Sequence, residues 1–426
     1  MAEPAAPAEL TRGALAAVVA CVVGNFLCSA PIVTATVGAF LIPVTREFGW
    51  SRAAFSFVLS IVAVIGVVAF PLAGHLADRL GVRRVVLVGN LLFAASVAAL
   101  GTTRHGLVNF YLLYALVAVT SAFSASVLLS RVIASWFVRR RGLFLGLTAG
   151  IGNGIGCAVM PVLTLVVIGH YGWRAAYYAL GALVALGGFP VLWALLREKP
   201  ATPDGTGAAA PVVAGLPVSA VRRDPLFWAL AAAVALGAGT ITAVFTHVVP
   251  ILLDRGFSIE TASLTVTGLA CGSTVWQISF GRILDSLKTP RAAAPAILLA
   301  LLGMFLLVRG HSNGSLAAAG VLIGMGSGTE FAMLPYAITR YFGLRCYNEI
   351  YGAIFGFVML ATGFTPIVMD LFYDRFHNYD LALLVIGGAL VVTTTIIARL
   401  PHYRFSGGSS EPAPAPLSAD PLVLTA

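Results

Sequence analysis

A polar stretch, Gly74-His-Leu-Ala-Asp78-Arg79-Leu-Gly81-Val-Arg83-Arg84, returns in shorter form as Gly281-Arg-Ile-Leu-Asp285-Ser-Leu-Lys288. The two stretches lie 207 residues apart in the chain, and the offset needs no gap. The same shift superposes identical residues: Pro43 on Pro250, Gly49 on Gly256, Ser51 on Ser258, Gly74 on Gly281, Asp78 on Asp285, Leu80 on Leu287 and Arg84 on Arg291. Because turn-forming and charged residues recur at one offset, we predict two halves that are parallel repeats of each other.

The composition around these stretches indicates a membrane protein. Hydrophobic residues make up 59% of the chain, charged residues 10%, and the mean hydropathy is +0.94, whereas a soluble domain carries about 25% charged residues. Twelve apolar runs are long enough to cross a bilayer: residues 14–40, 53–73, 84–102, 107–136, 143–168, 175–196, 225–251, 260–283, 292–308, 315–341, 350–373 and 379–399. We therefore predict an all-α polytopic membrane protein with twelve transmembrane helices in two six-helix pseudo-repeats.

The polar segments between these runs predict the division of the chain. The longest, 197–224, is rich in Pro, Gly and Ala and is interpreted as a cytoplasmic linker between an N-terminal bundle (14–196) and a C-terminal bundle (225–403). Residues 1–13 form a cytoplasmic tail, and residues 404–426, rich in Ser, Gly, Pro and Ala, are expected to be a disordered cytoplasmic tail.

Lysine and arginine predict the orientation. Eighteen of the 26 fall on the side that carries both termini, seven on the other side, and Arg131 lies within a run. Such a bias in short loops favours cytoplasmic termini, and we expect a multi-pass protein of a bacterial inner membrane. Because the basic residues are scattered through loops, no nucleic-acid partner is expected.

The repeated stretch resembles the inner-loop motif of the major facilitator superfamily, since it recurs after the second run of each half. This resemblance implies that the glycines let helices approach closely and that Asp78 and Asp285 close the cytoplasmic side in the outward-open state. Asp at a helix end can accept from a neighbouring helix N-terminus and pair with Arg. The alternative is a topology signal made of solvated arginines. The candidate cytoplasmic-gate residues are Gly74, Asp78, Arg79, Arg83, Arg84, Gly281 and Asp285.

Three further stretches resemble the oxalate–formate antiporter and monocarboxylate-porter branch of that superfamily. They are Glu47-Phe-Gly-Trp50-Ser-Arg52, Trp136-Phe-Val-Arg139-Arg-Arg141-Gly142 and Tyr171-Gly-Trp173-Arg174. This resemblance implies transport of small or aromatic carboxylates, often together with a proton. Residues 262–280 of the eighth run contain no Arg, and residues 350–372 of the eleventh contain no Lys. Members of that branch often bind the anion at these positions.

One acidic residue lies near the middle of a predicted span. It is Glu330, in Gly324-Met-Gly-Ser-Gly-Thr-Glu-Phe-Ala-Met-Leu-Pro335, whereas the other sixteen Asp and Glu residues fall in loops, termini or helix ends. An ionised carboxylate at membrane depth costs roughly 2.5–3.5 kcal/mol, so such a residue indicates a functional site. We assign proton coupling to Glu330; the alternative is a neutral side chain hydrogen-bonded between helices.

Arg131 is the basic residue within a span. A guanidinium group binds a carboxylate through two parallel hydrogen bonds, so Arg131 is our candidate for the substrate anion; the alternative is a side chain that reaches the inner surface. If Arg131 and Glu330 face one cavity from opposite halves, they form a pair, with Arg131 for the anion and Glu330 for the proton. Other candidate substrate-binding residues are polar and fall in spans, each with an interhelical hydrogen bond as its alternative role: Asn25, Ser29, Asn153, Trp276, Gln277 and Thr329.

These predictions define a secondary active transporter that moves a mono- or aromatic carboxylate by alternating access, with proton symport. The alternatives are anion antiport or efflux of a hydrophobic compound, and a receptor that transports nothing. The sequence contains no G-x-x-x-x-G-K-[ST] motif, no paired carboxylates and no metal-ligand cluster in its spans. We therefore expect no enzyme activity, catalytic residue, metal or cofactor, and we expect a monomer in the lipid bilayer.

Overall fold

The computed structural model describes residues 10–104, 106–199 and 214–405. The predictions for most of the N-terminal tail, for the middle of the linker (200–213) and for nearly all of the C-terminal tail (406–426) lie outside the described residues. Within the described ranges the regular structure is helical, apart from one isolated antiparallel bridge between Gly215 and Gly343.

The described residues contain twelve helical segments of membrane length, as predicted. Ten stretches are long and apolar enough to cross a membrane; one of them joins two helices at Gly172, whose φ is 82°, and a further segment of 27 residues is more polar. We number them as spans: 1 Arg12–Phe48, 2 Arg52–Leu80, 3 Val82–Leu100, 4 Leu107–Trp136, 5 and 6 within Arg141–Leu195, 7 Pro225–Asp254, 8 Ile259–Asp285, 9 Pro290–Arg309, 10 Asn313–Tyr341, 11 Tyr347–Phe376 and 12 Asp380–Arg399.

Two spans of the first half are interrupted. Span 1 consists of the helix Arg12–Phe26, a π-helical turn Ala30–Thr34 and the helix Val37–Phe48. Pro31 lies in the π turn, where its missing N–H removes one backbone donor. Span 4 is divided into Leu107–Ala122 and Ser126–Trp136. Span 1 also continues past the predicted end at residue 40, because the helix accommodates Pro43 in its interior.

The two halves meet along two helix pairs. Span 2 packs against span 11, and span 5 packs against span 8. Small residues line both contacts and let the backbones approach closely, as is common between membrane helices. Gly352 of span 11 lies on the backbone of Phe70, and Gly146 of span 5 lies on the backbone of Gln277. The halves are therefore joined by two seams.

The end of the linker is bound to the second half. The amide of Leu216 donates to the carbonyl of Phe342 (2.9 Å), and the amide of Leu344 donates to the carbonyl of Ala214 (2.8 Å). A short helix, Val218–Arg223, follows and leads directly into span 7. Residues 214–224 are thus attached to the loop between spans 10 and 11, so the chain joins the second half eleven residues before span 7 begins.

Candidate functional site

Two aspartates tie the halves together at one end of the molecule. Asp78, at the end of span 2, accepts hydrogen bonds from the amides of Asn348 (3.3 Å) and Glu349 (2.9 Å) and from the Asn348 side chain (2.8 Å). Asp285, at the end of span 8, accepts from the amides of Gly142 (2.6 Å) and Leu143 (3.0 Å). Each carboxylate therefore caps the first turn of a span in the other half, where the helix dipole favours negative charge. We call this end, defined by Asp78 and Asp285, the closed end.

Glycines beside these carboxylates make the contact possible. A Cβ atom at Gly74 would lie 2.1 Å from the carbonyl oxygen of Asn348, and one at Gly142 would lie 2.1 Å from that of Gly281. The reverse contact, from Gly281 to the Gly142 oxygen, would be 2.2 Å. Backbone oxygens cannot rotate away as side chains can, so any larger residue at these positions forces the helices apart.

Further polar contacts cross between the halves at the same end. His75 Nδ1 lies 2.7 Å from Glu349 Oε2. The other oxygen of that carboxylate lies 3.6 Å from Arg222, which belongs to the same half as Glu349. The hydroxyls of Ser130 and Tyr347 are 2.9 Å apart. Tyr347 is fully buried, so this hydrogen bond lies inside the seam.

The arginines of the candidate gate do not bridge the halves. Arg83 donates from its amide to Glu198 and from its guanidinium group to the carbonyl of Trp193, both 2.8 Å away and both in the first half. Arg79 and Arg84 are exposed. The contact between the halves is thus made by Asp, Gly and backbone amides rather than by these three arginines.

Arg131 lies at the closed end and not beside Glu330. It is half-buried, and its electrostatic neighbours are Asp78, Tyr347, Glu198 and Cys346. The structure does not bring the two groups of the hypothesised anion and proton pair together. In this conformation Arg131 instead faces the carboxylate that closes the seam.

Glu330 is buried within the second half. Its side chain is 2% exposed, and it lines a small cavity of about 10 Å³ with Val234 and Ala238 of span 7 and with Tyr351 and Phe355 of span 11. That is roughly the space that one water molecule needs. Among residues 10–104, 106–199 and 214–405, no hydrogen-bond partner is recorded for its Oε1 atom. An unpaired buried acceptor costs about 1–3 kcal/mol, so the buried position of this oxygen lowers the stability of the folded protein.

Gly237 makes room for the Glu330 carboxyl group. A Cβ atom at Gly237 would lie 1.5 Å from Glu330 Oε1, so no other residue is compatible with the observed side-chain position. We expect Gly237→Ala to displace the carboxyl group and to lower transport as strongly as loss of the carboxyl group itself.

The matched control for this prediction is Gly314→Ala, in the span that carries Glu330, where an added Cβ meets nothing within 4 Å. Uptake by each variant, at equal amounts of folded protein, checks the prediction. Wild-type uptake by Gly237→Ala would show that the observed position of Glu330 is not needed for function.

The other candidate binding residues are mostly engaged in contacts between helices. Asn25 donates to the carbonyl of Thr148 (3.2 Å), and Asn153 accepts from the thiol of Cys28 (3.1 Å). Trp276 donates its indole N–H to the hydroxyl of Thr329 (2.9 Å), which joins spans 8 and 10. Gln277 is buried against the glycines of span 5, and Ser29 is half-buried. These contacts fit the interhelical alternative; substrate binding by these residues stays a prediction.

Sequence reasoning missed several residues of the closed end, although a signal for them was present. The 207-residue offset that relates Asp78 to Asp285 also relates Gly142 to Glu349. Those two residues donate their amides to Asp285 and Asp78 respectively. Applying the offset to the partners of the motif, and not only to the motif, would have identified both. No comparable pattern indicated Gly237.

The fold and this site define a class of protein: a membrane protein of two six-helix bundles that close against each other at one end. The chain belongs to the Major Facilitator Superfamily, whose family model matches residues 22–366. It is 23% identical over 412 residues to monocarboxylate transporter 12-B of Danio rerio, covering 88% of this chain and 84% of that protein. It is 26% identical over 401 residues to the gallate transporter of Pseudomonas putida, covering 83% of this chain and 87% of that protein.

A solved structure supports the fold. The human organic anion transporter MFSD10 superposes with a TM-score of 0.68 at 16% identity, covering 92% of this chain and 100% of that one. The chain is therefore a multi-pass membrane transporter and not an enzyme. The predicted superfamily and its resemblance to monocarboxylate transporters are confirmed.

Proposed function

We propose that this transporter carries an organic anion together with a proton by alternating access, with Glu330 as the proton carrier. The observation that supports the proposal is the buried Glu330 carboxyl group beside a cavity of water size, with no hydrogen-bond partner recorded for its Oε1 atom among the described residues. Burying a carboxylate without a cation is costly, so the protonated form fits the observed conformation. A carrier must also reach water in another conformation to release its proton.

The wall of the Glu330 cavity offers such a route. Phe355, which lines the cavity, packs against Phe70 of span 2 with ring centroids 4.8 Å apart, across the seam between the halves. Separation of spans 2 and 11 would remove Phe70 and leave Phe355 as a wall exposed to the opened passage. Opening the closed end would thereby hydrate Glu330 and allow the carboxyl group to ionise. Coupling would follow because the same movement admits water and opens the substrate path.

The proposed substrate is a mono- or aromatic carboxylate. One relative is named a monocarboxylate transporter and another a gallate transporter, and gallate is an aromatic carboxylate. Arg131 is the proposed anchor for the anion. While the end is closed, Asp78 is an electrostatic neighbour of Arg131. Once the halves separate, the substrate anion would take the place of Asp78 beside Arg131.

The proposal also includes an orientation. We propose that the closed end faces the cytoplasm of a bacterial inner membrane, because the side carrying both termini holds eighteen of the 26 lysines and arginines. In that orientation the described conformation is closed to the cytoplasm, and a proton and a substrate enter from the outside.

Uptake into proteoliposomes tests the proposed function. Labelled monocarboxylates and aromatic carboxylates, with an uncharged analogue of each as control, are offered with and without an inward proton gradient. We expect the gradient to drive accumulation of one carboxylate class and not of its analogue. If accumulation does not depend on the proton gradient but depends on an opposing anion gradient, the transport mode is exchange and not symport.

A further inference from the structure

A groove on the surface of the second half lies away from Glu330 and from both seams. It has a volume of about 410 Å³ and is formed by the first turns of span 7, the last turns of span 12 and the segment that follows. Its lining combines apolar side chains with two arginines and one aspartate: Leu226, Ala229, Ile396, Arg399, Arg404 and Asp224. An apolar surface with guanidinium groups at one rim can bind an apolar molecule that carries a negative charge at one end.

The charges of the groove are unequal. Arg404 forms an ion pair with Asp224, which lies at the N-cap of span 7. Arg399 is exposed, and within the described part of the chain no ion pair or hydrogen bond of its guanidinium group is recorded. The groove thus presents one neutralised and one available guanidinium group.

The position of the groove determines what surrounds it. Span 12 exposes Leu384 and Val392 along its length, 72% and 49% respectively. Span 7 exposes Trp228, 52%, in the helical turn that also carries Leu226 and Ala229 of the groove. Apolar side chains exposed along a membrane span contact acyl chains, and Trp is enriched where the hydrocarbon ends. The two arginines therefore lie at the level of lipid headgroups, with the apolar lining at the level of the acyl chains.

We propose that this groove binds an anionic phospholipid, with its phosphate at Arg399 and Arg404 and its acyl chain along Leu226, Ala229 and Ile396. The headgroup competes with Asp224 for Arg404, so binding loosens the attachment of the C-terminal segment to span 7. This site is independent of the proposed symport and of the substrate.

Lipid binding by delipidated full-length protein in neutral detergent tests the proposal, with native mass spectrometry as the readout. The probes are phosphatidylglycerol, zwitterionic phosphatidylcholine with the same chains, and inorganic phosphate. We expect preference for phosphatidylglycerol and, because an arginine near a lipid surface contributes about 1 kcal/mol, a roughly fivefold loss of its affinity in Arg399→Gln.

Three variants sharpen the result. Arg404→Gln should weaken binding at least as much as Arg399→Gln, since it also frees the Asp224 carboxylate. Asp224→Asn should strengthen binding, because Asn still caps the helix but no longer competes. Arg309→Gln, an exposed arginine in the last turn of span 9, should leave affinity unchanged. Equal affinity for both lipids, equal loss in the control, or phosphate binding as tight as phosphatidylglycerol would each overturn the proposal.

Discussion

Glu330→Gln is expected to abolish proton-driven accumulation while exchange of substrate across the membrane continues. Glutamine has the shape of the protonated side chain, so the variant should fold and fill the same cavity, but it cannot release a proton. A gradient of about one pH unit supplies about 1.4 kcal/mol per proton, which supports about tenfold accumulation of a substrate carried with one proton. The variant's accumulation ratio should fall from about ten to about one.

The measurement is uptake into proteoliposomes, with counterflow of preloaded substrate as the exchange assay. Glu330→Asp keeps a titratable group and should retain accumulation at a lower rate. Glu260→Gln, an exposed glutamate at the start of span 8, is the matched control for the change in charge. If Glu330→Gln accumulates substrate like the wild type, Glu330 is structural and the proposed coupling is wrong.

Much of the architecture was accessible from the sequence, because bilayer thickness and backbone hydrogen bonding restrict membrane-spanning chains to a few solutions. The twelve apolar runs predicted the spans to within several residues. The deviations have local causes: span 1 continues through Pro43, and span 4 is divided near Phe123. Hydropathy measures the free energy of transferring side chains from water to an apolar phase. It does not show where a helix bends or where it continues into the membrane interface.

The arrangement within the site was less accessible. Glu330 could be singled out because a carboxyl group at membrane depth is rare, yet its neighbours depend on helix rotation. The sequence placed Arg131 within a predicted span but could not show which carboxylate it approaches. The hypothesised pairing with Glu330 required both side chains to face one space, and rotation of each helix is set by packing against other helices. The role of Gly237 likewise could not be predicted, because it depends on the position of the Glu330 carboxyl group that it accommodates.

Gly74→Ala is expected to prevent closure at the end that carries Asp78. The added Cβ would lie 2.1 Å from the carbonyl oxygen of Asn348, well inside the separation of real Cβ contacts. Overpacking of this kind costs roughly 1–3 kcal/mol, which disfavours the closed arrangement roughly five- to 150-fold. Because alternating access needs both arrangements, uptake should fall by a similar factor. Gly142→Ala should act alike at the second seam.

Cys346 reports whether the closed end has opened. It is half-buried beside Asn348, and burial raises the pKa of its thiol above the ordinary value, with the nearby Asp78 carboxylate raising it further. A raised pKa leaves less thiolate near neutral pH, so a maleimide reacts slowly. Opening the end hydrates the thiol and moves Asp78 away, which lowers the pKa and increases reaction at a given pH.

Labelling of Cys346 therefore separates an opened protein from an unfolded one. The exposed Cys157 and Cys271 are replaced by Ser, and Cys21 and Cys28 are buried, so they become reactive only if the fold is lost. Gly74→Ala should accelerate labelling of Cys346 alone, and most strongly near pH 7, where the closed thiol is protonated. Gly388→Ala, where a Cβ meets nothing within 4 Å, should label like the wild type. If Gly74→Ala labels no faster than Gly388→Ala yet loses uptake, the glycine contact does not hold this end closed, and loss of transport must have another cause.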